Sequence, residues 1–518
     1  MATKIFSCFV DGLQTQLIEV EVDILQGLPG LSIVGLGDAA VQEAKERIRS
    51  AIKNSGATYP QQKKIINLAP AHLRKNGACF DVPMALGLLE ASGQINMPAR
   101  ALFVGELALN GAIRSVNGAL SIAMFAQKHG LKLFLPEANA TEAKLIHYEH
   151  IYPVGHLTEI IEHCHEIKIV QPLSADTLQT GAPARKNSDR SANMPAPEID
   201  MNMIQGQIQA KRALEISAAG GHHLLLYGPP GTGKTLLAHA LQGILPPLSR
   251  KEMLEVMQIY SSAGLLKEPQ ELFNRRPFRQ VHQSCSLPAL IGGGTQAHTR
   301  PGEISLAHNG VLFFDEIAEA PRSLLESLRQ PLEQRQITVS RLHHHVVYPA
   351  NFTFVAAMNP CPCGYYGSAE KSCSCTNNAV VQYHKKLSGP IVDRFDLFVH
   401  LQREPVKLQS ALEGKSSQEY RSAIAAAREK QHRRYKETSI LLNSQIKAAQ
   451  IKTFCVMDLT TEKLITDYAN KAKISARSFH NILKISRTIA DLNDHATIQK
   501  EDALEAFTYR FQPTSPLI

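Results

Sequence analysis

The chain has 518 residues, of which 44% are hydrophobic and 20% are charged, a composition typical of soluble globular proteins rather than of disordered or membrane-embedded ones. This length is greater than that of a domain with a single hydrophobic core, and it predicts roughly three domains. The formal net charge of +8 allows a polyanionic partner without requiring one. No run of about 18 apolar residues and no secretion-signal pattern occurs, so we expect a cytoplasmic protein without a membrane partner.

Nine cysteines, an odd number in a chain without a secretion signal, argue against a disulfide framework. Most of the five scattered ones are expected to be small core residues; they are Cys8, Cys79, Cys164, Cys285 and Cys455.

Residues 1–171 are predicted to form an α/β domain. Val20, Val22 and Ile24 alternate with acidic residues as in a half-buried strand, and Asp38 is a predicted cap of a helix that runs to Ile52. Further strands are predicted over 64–67, 102–109 and 131–135, with a helix over 82–91.

The stretches RKNGAC (74–79), VGELALNG (104–111) and NGALS (117–121) resemble the protease domain of the Lon family. In Lon-type proteases a serine nucleophile sits near the position of Cys79 and a lysine base near the position of Ser121. A serine cannot accept the nucleophile's proton as a desolvated lysine does. The resemblance therefore implies a degenerate Lon-protease-like (S5-like) domain, kept for structure or for contacts such as DNA. A buried structural role for Cys79 is favoured over a nucleophile. Residues 172–198 are rich in Pro, Ser, Ala and Gly and are predicted to be a flexible linker.

Residues 199–405 contain a phosphate-loop motif, G-x-x-x-x-G-K-[ST], matched at every fixed position. It consists of Gly228, Pro229, Pro230, Gly231, Thr232, Gly233, Lys234 and Thr235. A predicted strand (224–227) precedes it and a predicted helix (236–245) follows, which is the context that the motif requires. Backbone N–H groups and the helix N-terminus would bind ATP phosphates, with Lys234 on the β- and γ-phosphates and Thr235 on Mg²⁺.

Two more apolar strands are predicted, each followed by polar residues. Residues 310–314 precede Asp315 and Glu316, a Walker B pattern in which Asp315 would hold Mg²⁺ and Glu316 would act as general base. Residues 352–358 precede Asn359, which resembles the sensor 1 residue of AAA+ ATPases. The segment IQGQ (204–207) resembles the adenine-side segment of the same ATPases.

Two insertions are predicted in this core. A helix over 320–334 leads to a β-hairpin, 336–341 and 346–348, whose polar tip resembles a pore-facing loop of chelatase and helicase ATPases. This resemblance implies that Arg341, His343 and His344 contact the DNA backbone. The glycines of 287–295 predict a loop without a regular element, which either faces the pore as well or is an ordinary surface loop.

A cysteine cluster follows Asn359, with the spacing C-x-C-x9-C-x-C, and consists of Cys361, Cys363, Cys373 and Cys375. Four thiolates in a short loop can close a tetrahedral structural Zn²⁺ site. Because C-x-C is less common than C-x-x-C, reduced thiols or a redox-active pair remain as alternatives.

Arg394 lies in SGPIVDRFD, which resembles the segment of AAA+ proteins that presents an arginine finger to a neighbouring subunit; a local ion pair with Asp396 is the alternative. Residues 415–518 are predicted to be a helical lid with helices over 420–435, 464–472, 476–492 and 500–510. Arg477 resembles the sensor 2 arginine. The basic stretch 428–434 is either a solvated helix face or a nucleic-acid contact.

Over nearly its full length the chain resembles the magnesium-chelatase-like (ComM) family of bacterial AAA+ proteins: an α/β multidomain chain with a Lon-like front domain, a P-loop parallel-sheet core and a C-terminal helical lid. The resemblance implies a homo-oligomeric ring, a hexamer, that uses ATP and Mg²⁺ to drive branch migration on single-stranded or branched DNA. In that family this extends heteroduplex during recombination in natural transformation. The alternatives are the motor of a metal-tetrapyrrole chelatase, an ATP-dependent protease, and an ATP-switched adaptor.

Overall fold

In the computed structural model the described residues are 2–35, 39–71, 75, 77–173, 199–266, 275–294, 299–341, 344–368, 371–387, 389–403, 414–472 and 474–510. The predicted cap Asp38, most of the predicted linker (172–198) and His343 lie outside them.

The described residues before the linker form a mixed seven-stranded sheet with helices packed on it. Its order is β3-β4-β2-β1-β5-β8-β9, with β1 (Thr3–Asp11), β2 (Gln14–Leu25), β3 (Gly30–Val34), β4 (Lys63–Ala69), β5 (Ala101–Phe103), β8 (Lys132–Pro136) and β9 (Ile151–Val154). A short ribbon pairs β6 (Glu106–Leu107) with β7 (Ile113–Arg114). The helices are Ala39–Asn54, Asp81–Ala91, Ala119–His129, Ala140–Ala143 and Leu157–Cys164. The predicted α/β character is confirmed.

The predicted strand 102–109 is wrong as a single element, because the chain leaves the sheet at Gly105. The Gly105 amide donates to the Cys79 carbonyl at 3.0 Å, and the Gly105 carbonyl accepts from the Val82 amide at 3.2 Å. A Cβ at Gly105 would lie 2.7 Å from Ile113 and 2.8 Å from Val82, so only glycine fits there. The chain resumes as β6 in the separate ribbon.

The second unit is built on a parallel five-stranded sheet of order β11-β14-β17-β10-β18. Its strands are β10 (Leu224–Tyr227), β11 (Phe278–Val281), β14 (Val311–Phe314), β17 (Thr353–Met358) and β18 (Leu397–His400). Every residue of β10, β14 and β17 is buried, which explains their continuous apolar runs. The longer helices around this sheet are Ile208–Gly220, Lys234–Ile244, Arg250–Ser262 and Asn377–Lys386. The shorter ones are Leu287–Ile291, Glu303–Leu306, Arg322–Ser327, Arg329–Gln334 and Gly389–Val392.

The prediction that 287–295 lacks a regular element is wrong. Ser286 caps the helix Leu287–Ile291, and the chain then enters β12 (Gly292–Gly294), which pairs with β13 (Thr299–Pro301). A Cβ on Gly292 would lie 2.8 Å from the Arg300 carbonyl oxygen, so the glycines permit close strand pairing rather than irregular backbone. Thr295 lies outside the described residues.

The predicted helix 320–334 is divided into Arg322–Ser327 and Arg329–Gln334, because Pro331 has no N–H to continue a single helix. The predicted hairpin that follows is confirmed, with β15 (Gln336–Arg341) antiparallel to β16 (His344–Pro349).

The described residues from 414 onward are helical, as predicted. The helices are Ser417–Arg434, Ile451–Phe454, Leu459–Lys471, Ala476–Leu492 and Lys500–Arg510. No helix among the described residues is long and apolar enough to cross a membrane.

Described residues of the first unit contact the second unit in two regions, the helix Arg250–Ser262 and the hairpin. Met257, on the helix Arg250–Ser262, is fully buried in an apolar cluster of the first unit, and the Gly118 amide donates to the Ser261 carbonyl at 3.1 Å. The turn between β1 and β2 lies on the hairpin, where a Cβ on Gly12 would be 2.2 Å from Val346 Cγ1.

Candidate functional site

The phosphate-loop motif lies at the carboxyl edge of the parallel sheet, between β10 and the helix Lys234–Ile244. Gly231 and Gly233 have φ of 77° and 85°, a conformation that glycine adopts without strain. The Gly228 amide donates to the Met358 carbonyl at 3.3 Å and so ties the loop to β17. The helix begins at Lys234, two residues before the predicted start, so its unpaired N–H groups face the loop.

The side chain of Lys234 donates three hydrogen bonds at this edge of the sheet. Its Nζ donates to the carbonyls of Gly228 at 2.7 Å and Pro229 at 2.9 Å, and to Asn359 Oδ1 at 3.0 Å. Burial lowers the pKa of Lys234 to about 8, although the charges of Asp315 and Glu316 oppose that shift. The structure thus brings together the predicted lysine and the predicted sensor residue, which are separated by 125 residues in sequence.

The two predicted Mg²⁺ ligands are also together. Thr235 Oγ1 donates to Asp315 Oδ2 at 3.3 Å, because β10 and β14 both flank β17 and end at the same edge. Two neighbouring oxygens of this kind fit Mg²⁺, which takes oxygen ligands at about 2.1 Å and keeps several waters.

Glu316 follows directly and has φ of 50°, an uncommon value for a residue other than glycine. Its Oε2 accepts a hydrogen bond from Gln283 Nε2 at 3.3 Å. Gln283 was missed in the sequence because it matches no motif. It reaches Glu316 only because β11 pairs with β14, so that both residues follow the ends of adjacent strands.

A cavity of about 820 Å³ opens beside the predicted adenine-side segment and is lined by Gly206, Gln207, Tyr227, Tyr468 and Phe507, among others. The rings of Tyr468 and Phe507 lie 4.4 Å apart, and the neighbouring Ile208 is 83% exposed. A cavity that combines aromatic walls with polar side chains is suited to a planar base that also forms hydrogen bonds. Its lid residues, separated from the loop by more than two hundred positions, were also missed in the sequence.

The two predicted arginines lie near each other. The guanidinium of Arg394 is 10% exposed and donates to Glu333, and the Asp396 carboxylate instead accepts from the His223 amide at 3.2 Å. The predicted alternative, an Arg394–Asp396 ion pair, is therefore not what the structure shows for Arg394. Burial, and then the charge of exposed Arg477, lower the pKa of Arg394.

The predicted DNA-contacting residues lie at the end of the hairpin. Arg341 and His344 are its last paired residues, and His343 lies outside the described residues. Nearby His345 is exposed, with its Nδ1 2.9 Å from Ser340 Oγ.

The four clustered cysteines converge. Their sulfurs all lie within 4.8 Å of one another, and the Sγ atom of Cys361 is 3.3 Å from that of Cys363 and 3.7 Å from that of Cys373. A ZnS₄ tetrahedron with bonds of about 2.3 Å has edges of about 3.8 Å, so the donor set fits Zn²⁺. The amide of Tyr366 donates to Cys361 Sγ at 3.3 Å, and an amide hydrogen bond from Tyr365 lowers the pKa of Cys363 to about 5.

The two positions that the Lon resemblance singles out, Cys79 and Ser121, are at least partly buried in the first unit. Cys79 packs against the apolar core, and the hydroxyl of Ser121 is buried without a hydrogen-bond partner in the described part of the chain. Of the five scattered cysteines, Cys8 and Cys455 are buried and the others are partly so.

The basic stretch 428–434 is only partly a solvated helix face, and a nucleic-acid contact there stays a prediction. Arg428 donates to the Ala218 carbonyl at 3.0 Å, buried Gln431 donates to the Ala219 carbonyl at 3.1 Å, and Arg434 pairs with buried Asp491. These side chains attach the lid to the helix Ile208–Gly220 and to the rest of the lid. Glu429, His432 and Arg433 are exposed, and Arg433 pairs with Glu429.

A phosphate loop after one inner strand of a parallel sheet, paired carboxylates after another inner strand and a helical lid define a nucleotide-binding core of the AAA+ class. Sequence comparison agrees with this class. Residues 200–408 match the family "Magnesium chelatase, subunit ChlI", residues 20–139 match "Subunit ChlI of Mg-chelatase", and residues 414–510 match "Magnesium chelatase, subunit ChlI C-terminal".

Several proteins are similar over nearly the whole chain. "Uncharacterized protein YifB" of Salmonella typhimurium is 42% identical over 507 residues, 96% of this chain and 95% of the relative. "Competence protein ComM" of Haemophilus influenzae is 39% identical over 510 residues, with the same coverage. "Magnesium-chelatase 67 kDa subunit" of Heliobacterium mobile is 26% identical over 194 residues, 32% of this chain and 29% of the relative. The chain belongs to the magnesium chelatase ChlI family of AAA+ proteins.

Proposed function

We propose that the chain is an ATP-dependent DNA motor, a helicase that promotes branch migration and heteroduplex extension during homologous recombination in natural transformation. The observation that carries the ATPase part is the convergence of Lys234, Thr235, Asp315, Glu316 and Asn359 at one sheet edge. The DNA part is supported by the full-length similarity to a competence protein, the net charge of +8 and the hairpin that ends at Arg341.

In this proposal, each residue of the edge has a role that its position allows. The loop amides and Lys234 hold the ATP phosphates, and Thr235 and Asp315 hold Mg²⁺. Glu316 accepts a proton from the attacking water, and Asn359 orients that water once ATP displaces its bond to Lys234. The adenine ring occupies the cavity beside Tyr468.

The arginines support an oligomeric ring, which we propose to be a hexamer. Arg394 donates to Glu333 and lies close to the charge of Arg477, so the two arginines can act on one phosphate group together. A guanidinium supplied by a neighbouring subunit stabilises the charge of the γ-phosphate transition state, an effect of roughly 10³ to 10⁵ in rate.

We also propose that the cysteine cluster holds a structural Zn²⁺. The four sulfurs have the spacing and amide hydrogen bonds expected of thiolate ligands, and they lie between Asn359 and the helix Asn377–Lys386. Stoichiometric zinc in the purified protein, lost in Cys361→Ser, would support this site; a metal-free protein that does not take up added zinc would contradict it.

The test of the motor is the steady-state ATPase rate with single-stranded, duplex and four-way-junction DNA, with Glu316→Gln as the blank. We expect DNA to stimulate hydrolysis in the wild type and not in the variant, which should still bind ATP. Branch migration of a labelled junction is then measured directly. An ATPase rate that none of the three DNA substrates changes would contradict the proposal.

A chelatase motor is the second candidate, because the chain belongs to the magnesium chelatase ChlI family and a magnesium-chelatase subunit matches over 194 residues. ATP hydrolysis that is independent of DNA but stimulated by metal-tetrapyrrole chelatase partners would favour it.

A further inference from the structure

The cysteine cluster and the phosphate loop are in direct contact, although they are distant in sequence. Gly364, within the cluster loop, is buried and has φ of 85°, and a Cβ added to it would lie 2.7 Å from Pro230 Cδ and 2.8 Å from Pro230 Cγ. Real Cβ atoms essentially never lie closer than 3.0 Å to a neighbouring atom. The backbone of the cluster loop at Gly364 therefore packs directly against the ring of Pro230. Pro230 is one of the variable positions of the phosphate-loop motif.

The same loop is joined to the ATP edge through the chain itself. Asn359, whose Oδ1 accepts from Lys234, stands two residues before Cys361, and the Gly364 amide donates to the Cys361 carbonyl at 2.9 Å. The loop therefore contacts the phosphate site at two points: through Asn359 to the lysine and through Gly364 to Pro230.

The cluster loop has few other means of holding its shape. Its described residues between β17 and the helix Asn377–Lys386 form no helix or strand, and Cys361 is the only one of the four cysteines that is fully buried. A segment too short for its own core takes its conformation from a metal when four thiolates converge in it.

We propose that the metal-held cysteine loop is a positioning element of the ATP site: zinc fixes Gly364 against Pro230 and Asn359 beside Lys234, and loss of zinc weakens ATP binding. This inference rests on the zinc site and the ATP site proposed above. Gly364 is a positioning residue, since it touches the phosphate loop and not the nucleotide.

The test compares two glycines of the same loop. Gly364→Ala and Gly367→Ala place the same side chain at φ of 85° and 75°, so both incur the backbone strain of a left-handed alanine. Only the Cβ of Gly364→Ala would clash with Pro230, because a Cβ on Gly367 has no atom within 4 Å. For each protein we would measure zinc content, the Kd of a fluorescent ATP analogue, and kcat and KM for ATP.

We expect Gly364→Ala to retain about one zinc and to bind the analogue at least about tenfold more weakly, with a raised KM and a smaller change in kcat, while Gly367→Ala resembles the wild type. Replacement of Pro230 by alanine removes the ring atoms that the new Cβ would meet. In a Pro230→Ala background the additional Gly364→Ala change should therefore cost clearly less. Zinc extraction from the wild type should raise the Kd in the same direction.

Equal affinities of the two alanine variants, or an undiminished effect in the Pro230→Ala background, would overturn the inference. So would a zinc-free wild type with unchanged ATP affinity. The wild-type measurements separate this from failure of the proposed function: a purified protein that neither contains nor takes up zinc contradicts the metal site and this inference but not the motor, and a protein that does not bind ATP contradicts the motor.

Discussion

At the scale of single residues, Lys234 carries the clearest chemical signature. Its partly buried ammonium group donates to two carbonyls and one amide oxygen, which are neutral acceptors, and desolvation lowers its pKa to about 8. Phosphate oxygens would supply the negative charge that these neutral acceptors lack. ATP binding should therefore raise the pKa of this lysine, and the two equilibria are linked.

Because Lys234, with a pKa of about 8, is mostly protonated at pH 7 and half protonated at pH 8, we expect ATP affinity to change little from pH 7 to 7.5 and to fall by up to about tenfold per pH unit above 8. Calorimetric titrations at pH 9 in buffers of different ionisation enthalpy should detect uptake of a proton on binding. Lys234→Met, which cannot be protonated, should bind weakly and show no such pH dependence. Affinity that does not change between pH 7 and 9 would contradict the shifted pKa.

The sequence predicted the residues of this edge that belong to local motifs and missed those that reach it from elsewhere. Lys234, Asp315 and Asn359 each follow a buried strand, and parallel strands end together, so their convergence follows from the pattern. Gln283 and Tyr468 arrive through the pairing of β11 and the docking of the lid, which no local pattern encodes.

At the scale of elements, the lid is held by a buried polar network around Asp491, which is 1% exposed. Its carboxylate accepts from Arg434 at 2.9 Å, from Arg487 at 3.0 Å and from Asn443 at 2.9 Å. The basic residues at the end of the helix Ser417–Arg434 predicted an exposed face. The sequence could not show that Arg434 is paired, because its partner Asp491 lies 57 residues away.

Asp491→Ala leaves two guanidinium groups without their buried counterion, so we expect the lid to lose about 3–5 kcal/mol of unfolding free energy. Denaturant unfolding followed by a probe in the lid would measure this. Arg433→Ala is the matched control, because its partner Glu429 is 55% exposed and Arg433 is 77% exposed, and it should cost less than about 1 kcal/mol. Similar losses in the two variants would show that the network is not what holds the lid.

At the scale of the whole molecule, the first unit is part of the ATPase structure rather than an appendage. Its β1–β2 turn lies against the hairpin at Val346, and its apolar core takes in Met257. The Lon resemblance predicted a domain kept for structure or for contacts. The particular surfaces could not be predicted, because the residues that meet in them are far apart in sequence.

If the hairpin contacts DNA, Gly12→Ala should displace it, because the new Cβ would meet Val346 Cγ1 at 2.2 Å. We expect DNA stimulation of the ATPase to fall by about tenfold, with the DNA-independent rate little changed. Gly56→Ala is the matched control, since Gly56 also has positive φ (78°) but nothing within 4 Å of the added Cβ. If DNA stimulated the ATPase equally in the two variants, the β1–β2 turn would have no part in the function of the hairpin.

The interface between the two units should also respond to pH. Glu142 is buried, accepts hydrogen bonds from the Ser261 hydroxyl and the Leu120 amide, and has its pKa raised by burial. A carboxyl with a raised pKa in the folded state costs stability as pH rises above its unfolded value. Ser261→Ala removes a donor to the charged form and should cost about 1–3 kcal/mol at pH 7, and less at pH 5.

Thermal unfolding at the two pH values would measure this difference. Ser262→Ala is the control, because its hydroxyl bonds only the Ile259 carbonyl of its own helix. A loss that is the same at pH 5 and pH 7 would show that Glu142 is not the group involved.

The burial of Met257 in the first unit bears on the order in which the protein is made. Chains fold from the amino terminus during synthesis, at about 5–20 residues per second. The pocket for Met257 is therefore translated roughly a hundred residues before the methionine that fills it. The apolar side of the helix Arg250–Ser262 can therefore pack on an already folded first unit as soon as it leaves the ribosome. In a circular permutant that is translated in the reverse order, the same apolar residues would stay exposed until the first unit had been made.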